Sequence, residues 1–292
     1  MSSQGWMKQA LEKTGIQAEI VQVKSVSGGE INQAYYVETT KYPLFIKAHD
    51  KMDPTFFNSE VDGLTELKEK GNVLTPRVYG VFQTEDEQMS GCVMEWIQGE
   101  KTNHYSQQLG EAVAKLHQAT SRKFGYRNDT YIGEIHQKNN WWTNWNDYYR
   151  SNRLLPQVQL GERLGYMPSK RKQRMEKLMD RLQEWIPAND VKPSLLHGDL
   201  WGGNVMVAKG GKPCFIDPSV VYGDHELELA FTELFGGFSE DFYEAYAYTQ
   251  PVDRGYDDRK ELYQLFYLLV HLNIFGEIYG GHVDTVLKRY VG

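Results

Sequence analysis

The first third of the chain alternates short apolar runs with polar turns, a pattern typical of a small β-sheet. The strand-like runs lie at 20–26, 34–38, 44–48, 78–82 and 91–96. After the third run, Asp53-Pro54 marks a helix start, because Asp caps helices and Pro is tolerated at the first helical position. We predict that this helix continues to about Lys70 and ends at Gly71.

Beyond Gly99 the apolar residues recur mainly at helical spacing. Predicted helices cover 105–120, 170–185, 227–235, 242–248, 260–275 and 283–290, and strand-like runs lie at 195–200, 205–208 and 214–216. Residues 125–160 are rich in aromatic side chains and show no clear period. The pattern predicts an α+β protein with a small β-rich lobe, residues 1–95, and a larger helical lobe, residues 96–292. A cleft between two such lobes is a common ligand site.

The composition is that of a soluble globular protein: of 292 residues, 40% are hydrophobic and 24% are charged. No apolar run is long enough to span a membrane. The net charge of −7, without a long basic block, disfavours nucleic acid and anionic membranes as partners. The basic cluster at 170–174 is predicted to be solvated. Cys92 and Cys214 lie in apolar runs and are predicted to be buried free thiols, which fits a cytoplasmic protein.

The strongest chemical signal lies at 197–204, which reads His-Gly-Asp-Leu-Trp-Gly-Gly-Asn, with Asp217 thirteen residues further on. Phosphoryl transfer needs a carboxylate beside the attacking hydroxyl, and an amide oxygen and a second carboxylate that hold Mg²⁺ against the phosphates. Asp199 followed by Asn204, a short hairpin and Asp217 has the spacing of a kinase catalytic loop, with Gly198 where protein kinases carry Arg. Such residues also form ordinary turns, but three polar positions at this spacing favour phosphoryl transfer.

A second signal is a charged pair in the β-rich lobe. Lys47 lies inside an apolar strand, where lysine is rarely buried unless it is paired. Glu60 interrupts the apolar stripe of Phe56, Leu64 and Leu67 on the following helix, so it requires a cation. A Lys on the third strand paired with a Glu on the next helix is how kinases hold the α- and β-phosphates. A purely structural ion pair is the alternative.

A glycine-rich turn, Gly28-Gly29, lies between the first two strands, where a phosphate-covering loop is expected, and Asn32 follows it. Glycines let backbone N–H groups approach phosphate oxygens closely. The turn matches neither a Walker A motif nor a complete GxGxxG, so its position supports this interpretation more than its letters do.

The expected crossing between the lobes is Glu95-Trp96-Ile97. Backbone groups at this point are predicted to bind the adenine edge of a nucleotide, so side-chain identity matters little there. A linker strand without contact to the nucleotide is the alternative.

The eight histidines show no HExxH or paired spacing, and no GxSxG turn is present. A zinc site and a Ser-His-Asp hydrolase are therefore disfavoured. We expect His197 to hydrogen-bond the backbone of the loop and to orient it. Asp224 is expected to cap the helix that follows it.

With these residues, the chain resembles the fructosamine kinase, or ketosamine 3-kinase, family, within the aminoglycoside phosphotransferase and choline kinase-like group. The wider group is indicated by His197-Gly198-Asp199 with Asn204 and Asp217. The narrower family is indicated by that loop and by segments at 28–34, 45–47, 131–133, 153–157, 222–223, 228–230 and 235–238. These matches span nearly the whole chain.

The resemblance implies a protein-kinase-like bilobal fold, with ATP and Mg²⁺ as cofactors. It implies transfer of the γ-phosphoryl group to the 3-hydroxyl of a ketosamine, which is a sugar attached to an amine such as a lysine side chain, and a role in protein deglycation. By the same resemblance, Asp199 is the base, Asn204 and Asp217 bind the metal, Lys47 holds phosphate, and Glu60 positions Lys47. Glu228 is then expected to support the catalytic loop.

The sequence predicts the residues that bind the substrate less completely than those that bind ATP and metal. Trp201, in the catalytic loop, is predicted to form an aromatic wall against the sugar or its amine, with packing of the loop as the alternative. Trp141, Trp142 and Trp145 are expected in the core of a helical insert. Glu30 departs from the family pattern, in which a small Ser or Cys is usual at this position, and an acidic group beside phosphates is unexpected.

Two rival functions remain at this point. One is a kinase of another hydroxylated amine, such as an aminoglycoside, choline or a methylthioribose-like molecule. The other is a pseudokinase, which the presence of Lys47, Asp199 and Asp217 disfavours. The identity of the sugar, the choice between a free and a protein-bound amine, and the oligomeric state are open.

Overall fold

The N-terminal lobe is an antiparallel sheet of five strands in the order β1-β2-β3-β5-β4. Its strands are β1 (Ile20–Ser25), β2 (Gln33–Thr39), β3 (Leu44–Asp50), β4 (Val78–Gln83) and β5 (Met89–Glu95). The computed structural model of the protein describes residues 3–26, 33–187 and 190–292. All five strands fall on the predicted strand-like runs, and β5 ends at the predicted lobe boundary. The division into two domains stays a prediction.

One helix covers each face of this sheet, α1 (Ser3–Lys13) and α2 (Pro54–Glu69). Successive side chains of a strand point to opposite faces. On β3, Ile46 therefore packs in the cluster that includes α1, whereas Phe45 and Lys47 face α2. The alternation of the strand thus directs Lys47 towards the helix that carries its predicted partner.

The start of α2 follows from its sequence. The Asp53 side chain accepts a hydrogen bond from the backbone N–H of Thr55 at 2.8 Å, and Pro54 occupies the first turn, where its missing N–H leaves no bond unmade. The helix ends at Glu69, one residue before the predicted end. The predicted helix is confirmed.

The C-terminal lobe is mainly helical. Its helices are α3 (Tyr105–Gln118), α4 (Trp145–Tyr148), α5 (Leu155–Leu164), α6 (Ser169–Met179), α7 (His225–Leu234), α8 (Glu240–Thr249), α9 (Tyr256–Phe275) and α10 (Gly280–Val291). Its strand pairs are β6 (Thr130–Ile132) with β7 (Ile135–Gln137), β8 (Ser194–Leu196) with β11 (Val221–Gly223), and β9 (Val205–Ala208) with β10 (Lys212–Phe215). Helix α9 is buried along much of its length and packs against α5, α7 and α10. None of the helices in the described ranges is both long and apolar enough to cross a membrane.

The aromatic segment without a clear period is helical from Trp145 onward, which the sequence pattern did not predict. Helix α4, a π-helical turn (Tyr149–Leu154) and α5 follow one another without a break. A π-helix closes its hydrogen bonds over five residues rather than four, so the buried positions lose the period of 3.6. Trp145, Tyr148 and Tyr149 are fully buried, and the segment is therefore part of the core.

The three tryptophans of this segment do not share one environment. Trp145 is fully buried, Trp142 is partly buried against the core, and Trp141 is 42% exposed. The expected core position is therefore confirmed for Trp145 and wrong for Trp141.

The expectation of a solvated basic face is wrong for Arg171. This side chain is 3% exposed and donates hydrogen bonds of 2.7 to 3.0 Å to both Glu277 and Asp284. The pairing ties α6 to α10 and to the turn before it. The helix predicted to reach residue 185 ends at Met179 and is followed by a short 3-10 turn.

We predict that Trp145→Ala lowers the free energy of unfolding by about 3–5 kcal/mol, because it leaves a large cavity in the core. Trp141→Ala is the matched control and is expected to change it by about 0.5 kcal/mol or less, since that ring lies at the surface. Urea unfolding followed by circular dichroism measures both. Equal losses in the two variants would contradict the placement of these rings.

Candidate active site

A buried lysine links the two lobes. Lys47 on β3 is 9% exposed, and its Nζ lies 2.9 Å from Glu60 Oε2 and 2.8 Å from Asp217 Oδ1. Glu60 belongs to α2, and Asp217 follows β10. One ammonium group therefore joins the sheet, its helix and the C-terminal lobe, and the predicted Lys47–Glu60 pair is present.

The charges of this cluster support one another. Burial alone would lower the pKa of Lys47, but the carboxylates of Asp217 and Glu60 outweigh burial and raise it. Burial would likewise raise the pKa of Asp217, yet the Lys47 cation holds it below its usual range. Burial raises the pKa of Glu60 to about 7, with Lys47 opposing. Lys47 is thus a cation at neutral pH, and Asp217 is its anionic partner.

Helix α2 is held against the C-terminal lobe by a second group of charges. Arg127 donates hydrogen bonds to Asp62 at 2.5 Å and to Glu66 at 2.6 Å, and both acceptors lie on α2. The hydroxyl of Tyr222 also donates to Glu66, at 2.8 Å. These bonds fix the orientation of the helix that carries Glu60.

Close backbone packing also holds α2 against the C-terminal lobe. A Cβ at Gly63 on α2 would lie 2.9 Å from Cγ of Pro218, the residue that follows Asp217. The helix therefore approaches the Asp217 segment more closely than a side chain at position 63 would permit. Glu60 and Asp217 reach Lys47 from two segments that pack directly on each other.

The loop at 197–204 turns sharply at Gly198. Its φ is +86°, and a Cβ at this position would lie 1.8 Å from the carbonyl oxygen of Ser219. A left-handed conformation and this close approach both require glycine. The loop therefore has no room for the Arg that protein kinases carry at the corresponding position.

Glu228 supports the catalytic loop by binding its backbone, as the resemblance implied. Its fully buried carboxylate accepts hydrogen bonds from the backbone N–H groups of His197 at 3.0 Å and Gly198 at 2.6 Å. It also pairs with Nε2 of His117 at 2.9 Å. Burial would raise the pKa of Glu228, but His117, His197 and the backbone N–H of Gly198 together outweigh burial and lower it. The loop therefore rests on an ionised carboxylate.

His197 connects the loop to the Asp217 segment. Its Nε2 donates to the carbonyl oxygen of Ile216 at 2.8 Å, and its Nδ1 accepts from the backbone N–H of Asp199 at 3.3 Å. One ring nitrogen donates and the other accepts, which requires the neutral imidazole. Burial lowers the pKa of His197, in agreement with that state. His197 thus orients the loop, as expected.

Asp199 and Asn204 face each other across the loop. Nδ2 of Asn204 donates to the backbone carbonyl of Asp199 at 2.8 Å and to its Oδ2 at 3.0 Å. The backbone N–H of Ile216 donates to the carbonyl of Asn204 at 3.0 Å, so Asp217 follows directly. Burial first, and then the charge of Asp217, raise the pKa of Asp199 to about 7. A carboxyl group that titrates near neutrality is suited to general-base work at pH 7.

Five predicted site residues therefore share one centre, at Lys47, Glu60, Asp199, Asn204 and Asp217. The predicted phosphate loop lies outside the described residues, with Gly28, Gly29, Glu30 and Asn32. The structure brings together side chains separated by up to 170 positions in the chain.

The predicted lobe crossing begins where β5 ends, at Glu95. The Trp96 ring packs edge-on against Tyr36, with ring centroids 4.9 Å apart. Ile97 is buried in a small cluster with Cys214. The side chains of Trp96 and Ile97 are thus used in packing, which fits the prediction that backbone groups bind adenine here.

Comparison with known proteins agrees with this geometry. A family model for fructosamine kinase matches residues 2–292. The chain belongs to the fructosamine kinase family. A protein of Lactiplantibacillus plantarum named a probable ketoamine kinase is 42% identical over 276 residues, which cover 93% of this chain and 95% of that protein. The chloroplastic protein-ribulosamine 3-kinase of Arabidopsis thaliana is 32% identical over 281 residues, which cover 95% and 85% of the two chains.

Solved structures of this kinase family and of its wider group share the fold. A Haemophilus somnus protein described as a fructosamine-3-kinase superposes with a TM-score of 0.87 at 26% identity, covering 98% of this chain and 96% of that one. The choline kinase LicA of Streptococcus pneumoniae superposes with a TM-score of 0.63 at 16% identity, covering 98% and 99%, a likeness that shows the fold alone. The predicted protein-kinase-like α+β fold and the predicted family are confirmed.

In this fructosamine kinase, Trp201 is both packed and exposed. A Cβ at Gly203 would lie 2.2 Å from the indole ring, so the ring stands directly over that glycine. The residue is nevertheless 47% exposed. One face is therefore available to a ligand, and the predicted contact with the substrate stays a prediction.

Two residues that support the catalytic loop of the kinase were not predicted. His117, buried on α3, joins Glu228 to the hydroxyl of Tyr246, and the hydroxyl of Tyr267 donates to the carbonyl of Gly198 at 3.2 Å. His117 interrupts an apolar helical stripe, which is the signal that identified Glu60 in the sequence. Tyr267 lies in a helix that is apolar on most sides, so no sequence signal distinguishes it.

We predict that Gly198→Ala lowers the kinase turnover about 100-fold, because the added methyl group displaces the loop from Ser219 and misplaces Asp199. Gly210→Ala is the matched control. Gly210 is also left-handed, with φ of +80°, but nothing lies within 4 Å of a Cβ built there, so turnover is expected to stay near the wild-type value. Steady-state ADP production and circular dichroism measure activity and folding. A folded Gly198→Ala variant with normal turnover would contradict the role of the close approach.

Proposed function

We propose that the protein transfers the γ-phosphoryl group of ATP to the 3-hydroxyl of a ketosamine, that is, a fructosamine or ribulosamine adduct of an amine or of a protein lysine. The observation that carries this proposal is the assembly of Lys47, Asp199, Asn204 and Asp217 around one centre in a chain of this family. The name of the plant relative, a protein-ribulosamine 3-kinase, supports the choice of hydroxyl. The reaction is the first step in removing a sugar from a glycated amine.

Asp199 is the proposed base. Its Oδ2 accepts a hydrogen bond from Asn204 at 3.0 Å, so Oδ1 is the oxygen left to accept the proton of the attacking hydroxyl. The hydroxyl oxygen forms a bond to the γ-phosphorus as the bond to the β,γ-bridging oxygen breaks, and ADP leaves. The raised pKa of Asp199 makes the carboxylate a stronger proton acceptor than an ordinary Asp.

Lys47 is the proposed ligand of the donor phosphates. An ammonium group carries three N–H donors, and two of these go to Glu60 and Asp217. The third donor remains for a phosphate oxygen. Glu60 holds the ammonium in place, which makes Glu60 a positioning residue rather than a catalytic one.

Asn204 and Asp217 fit the proposed magnesium site. The amide nitrogen of Asn204 is bonded to Asp199, so the Asn204 Oδ1 remains to bind a metal ion. Asp217 uses its Oδ1 to bind Lys47, so the Asp217 Oδ2 remains for the same purpose. Mg²⁺ is usually bound by one or two protein oxygens, and phosphates and water complete its shell. Within the described ranges, no cluster of three or more His, Cys, Asp or Glu could hold a metal without such help. Bound Mg²⁺ would neutralise charge that develops on the phosphates.

A cytoplasmic location is part of the proposal. Cys92 and Cys214 are both buried and unpaired in the structure. Free thiols are typical of a reducing compartment.

A panel of acceptors tests the proposed function. We expect ATP consumption with ribulosamine or fructosamine adducts of lysine, free or in glycated protein, and no comparable rate with choline, an aminoglycoside or methylthioribose. ³¹P NMR of the product identifies the phosphorylated hydroxyl. Turnover of one of the other amines in preference to every ketosamine would overturn the proposal.

We predict that Asp199→Ala loses turnover about 10²- to 10⁴-fold while it retains ATP binding. In the wild-type enzyme, kcat/KM is expected to fall as the pH drops below about 7, because the pKa of Asp199 is raised to about 7 and only its ionised form accepts a proton. The residual activity of the variant loses this dependence. Calorimetric titration with ATP and rates from pH 5 to 9 measure these effects.

The exposed Asp241 provides a control, since Asp241→Ala is expected to keep both the rate and the pH profile. Near-normal turnover in Asp199→Ala would remove Asp199 from the role of base.

A further inference from the structure

A groove of about 770 Å³ lies at the C-terminal end of α9, and none of the residues assigned to phosphoryl transfer lines it. Three elements of the C-terminal lobe form its walls: the β6–β7 hairpin, α5 and the last turn of α9. Its lining includes Glu134 and His136 from the hairpin, Arg163 from α5, and Asn273 and Phe275 from α9.

Helix α9 connects this groove to the catalytic loop. Tyr267 on α9 donates its hydroxyl proton to the carbonyl of Gly198 at 3.2 Å. Asn273 lies six residues further on, which is roughly 9 Å along the axis of a helix. In a ketosamine formed on lysine, eight single bonds separate sugar C3 from the lysine Cα, so with bonds of about 1.5 Å the molecule extends about 10 Å. A substrate of this length is comparable with the stretch of α9 that separates Tyr267, at the catalytic loop, from Asn273, at the groove.

The groove offers one cation and one anion that the protein leaves unpaired. Glu134 and Arg163 are both exposed and lie on different walls. Within the described residues, neither side chain has a hydrogen bond or an ion pair. The lining contains one further titratable side chain, His136, and its Nε2 lies 3.0 Å from Asp129 Oδ2.

A buried acceptor lies beside these charges. The amide nitrogen of Asn273 donates to the backbone carbonyl of Gln157 at 3.0 Å and to its Oε1 at 2.8 Å, so the amide is held in one orientation. Its Oδ1 is buried and has no hydrogen-bond partner in the described part of the chain. This oxygen lies against α5, because a Cβ at Gly161 would be 3.0 Å from it, so it is enclosed by the wall of the groove.

We propose that this groove binds the amino-acid end of a ketosamine formed on free lysine. Arg163 pairs with the α-carboxylate, and Glu134 pairs with the α-ammonium. A lysine within a protein has neither α-charge, so the groove favours the free glycated amino acid over the protein-bound one. This inference rests on the proposed ketosamine kinase function.

Two substrates that differ only in the α-charges test it. One is the ribulosyl or fructosyl adduct of free lysine, and the other is the same adduct of Nα-acetyl-lysine methylamide. We expect the wild-type enzyme to have a kcat/KM at least about tenfold higher for the free lysine adduct, through a lower KM and not a higher kcat, because hydrogen bonds between charged groups contribute most of the preference. Arg163→Gln and Glu134→Gln are each expected to reduce this preference, through a higher KM for the free lysine adduct.

Glu162→Gln is the matched control, since Glu162 neighbours Arg163 on α5 but pairs with Lys172 and does not line the groove. It is expected to keep the wild-type preference. Equal kcat/KM values for the two adducts in the wild-type enzyme overturn the inference and leave the proposed function intact, as do variants that slow both adducts alike. Failure to phosphorylate either adduct overturns the proposed function itself.

Discussion

The ion pairs of Lys47 with Glu60 and Asp217 are the interaction on which the site depends. Each carboxylate comes from a different element, so the ammonium has its full set of partners only when the sheet, α2 and the segment after β10 are all in place. Removing one member of a buried pair leaves an uncompensated charge, at a cost of about 3–5 kcal/mol. The centre is thus complete only when both lobes are folded and packed against each other.

Several further contacts fix the position of α2, the helix that carries Glu60. In addition to Glu60, the helix uses Asp62 and Glu66 to bind Arg127 of the C-terminal lobe, and Gly63 to approach Pro218. A helix fixed both by charged side chains and by close backbone packing has little freedom to swing away. These contacts therefore hold Lys47 in its paired position.

The catalytic loop is held in a different way, because the bonds that set its path are made to its backbone groups. Glu228 receives the N–H groups of His197 and Gly198, and the neutral ring of His197 bridges to Ile216. These bonds bring Asp199 near Asp217, and the neighbouring charge together with burial raises the pKa of Asp199. The scaffold thus determines both the position of the proposed base and its proton affinity.

The sequence by itself determined the features that depend on neighbours along the chain. The strands, the capped start of α2, and the spacing of Asp199, Asn204 and Asp217 follow from local patterns, and a charge in an apolar stripe identified Lys47 and Glu60. Only the tertiary structure decided why position 198 must be glycine, which ring of the tryptophan segment is buried, and that Arg171 is enclosed by two carboxylates. Each of these depends on an atom brought close by folding from a distant part of the chain, and a pattern of neighbouring residues carries no record of such a contact. The groove at the end of α9 belongs to the same class, because its walls come from three segments that meet only in the folded protein.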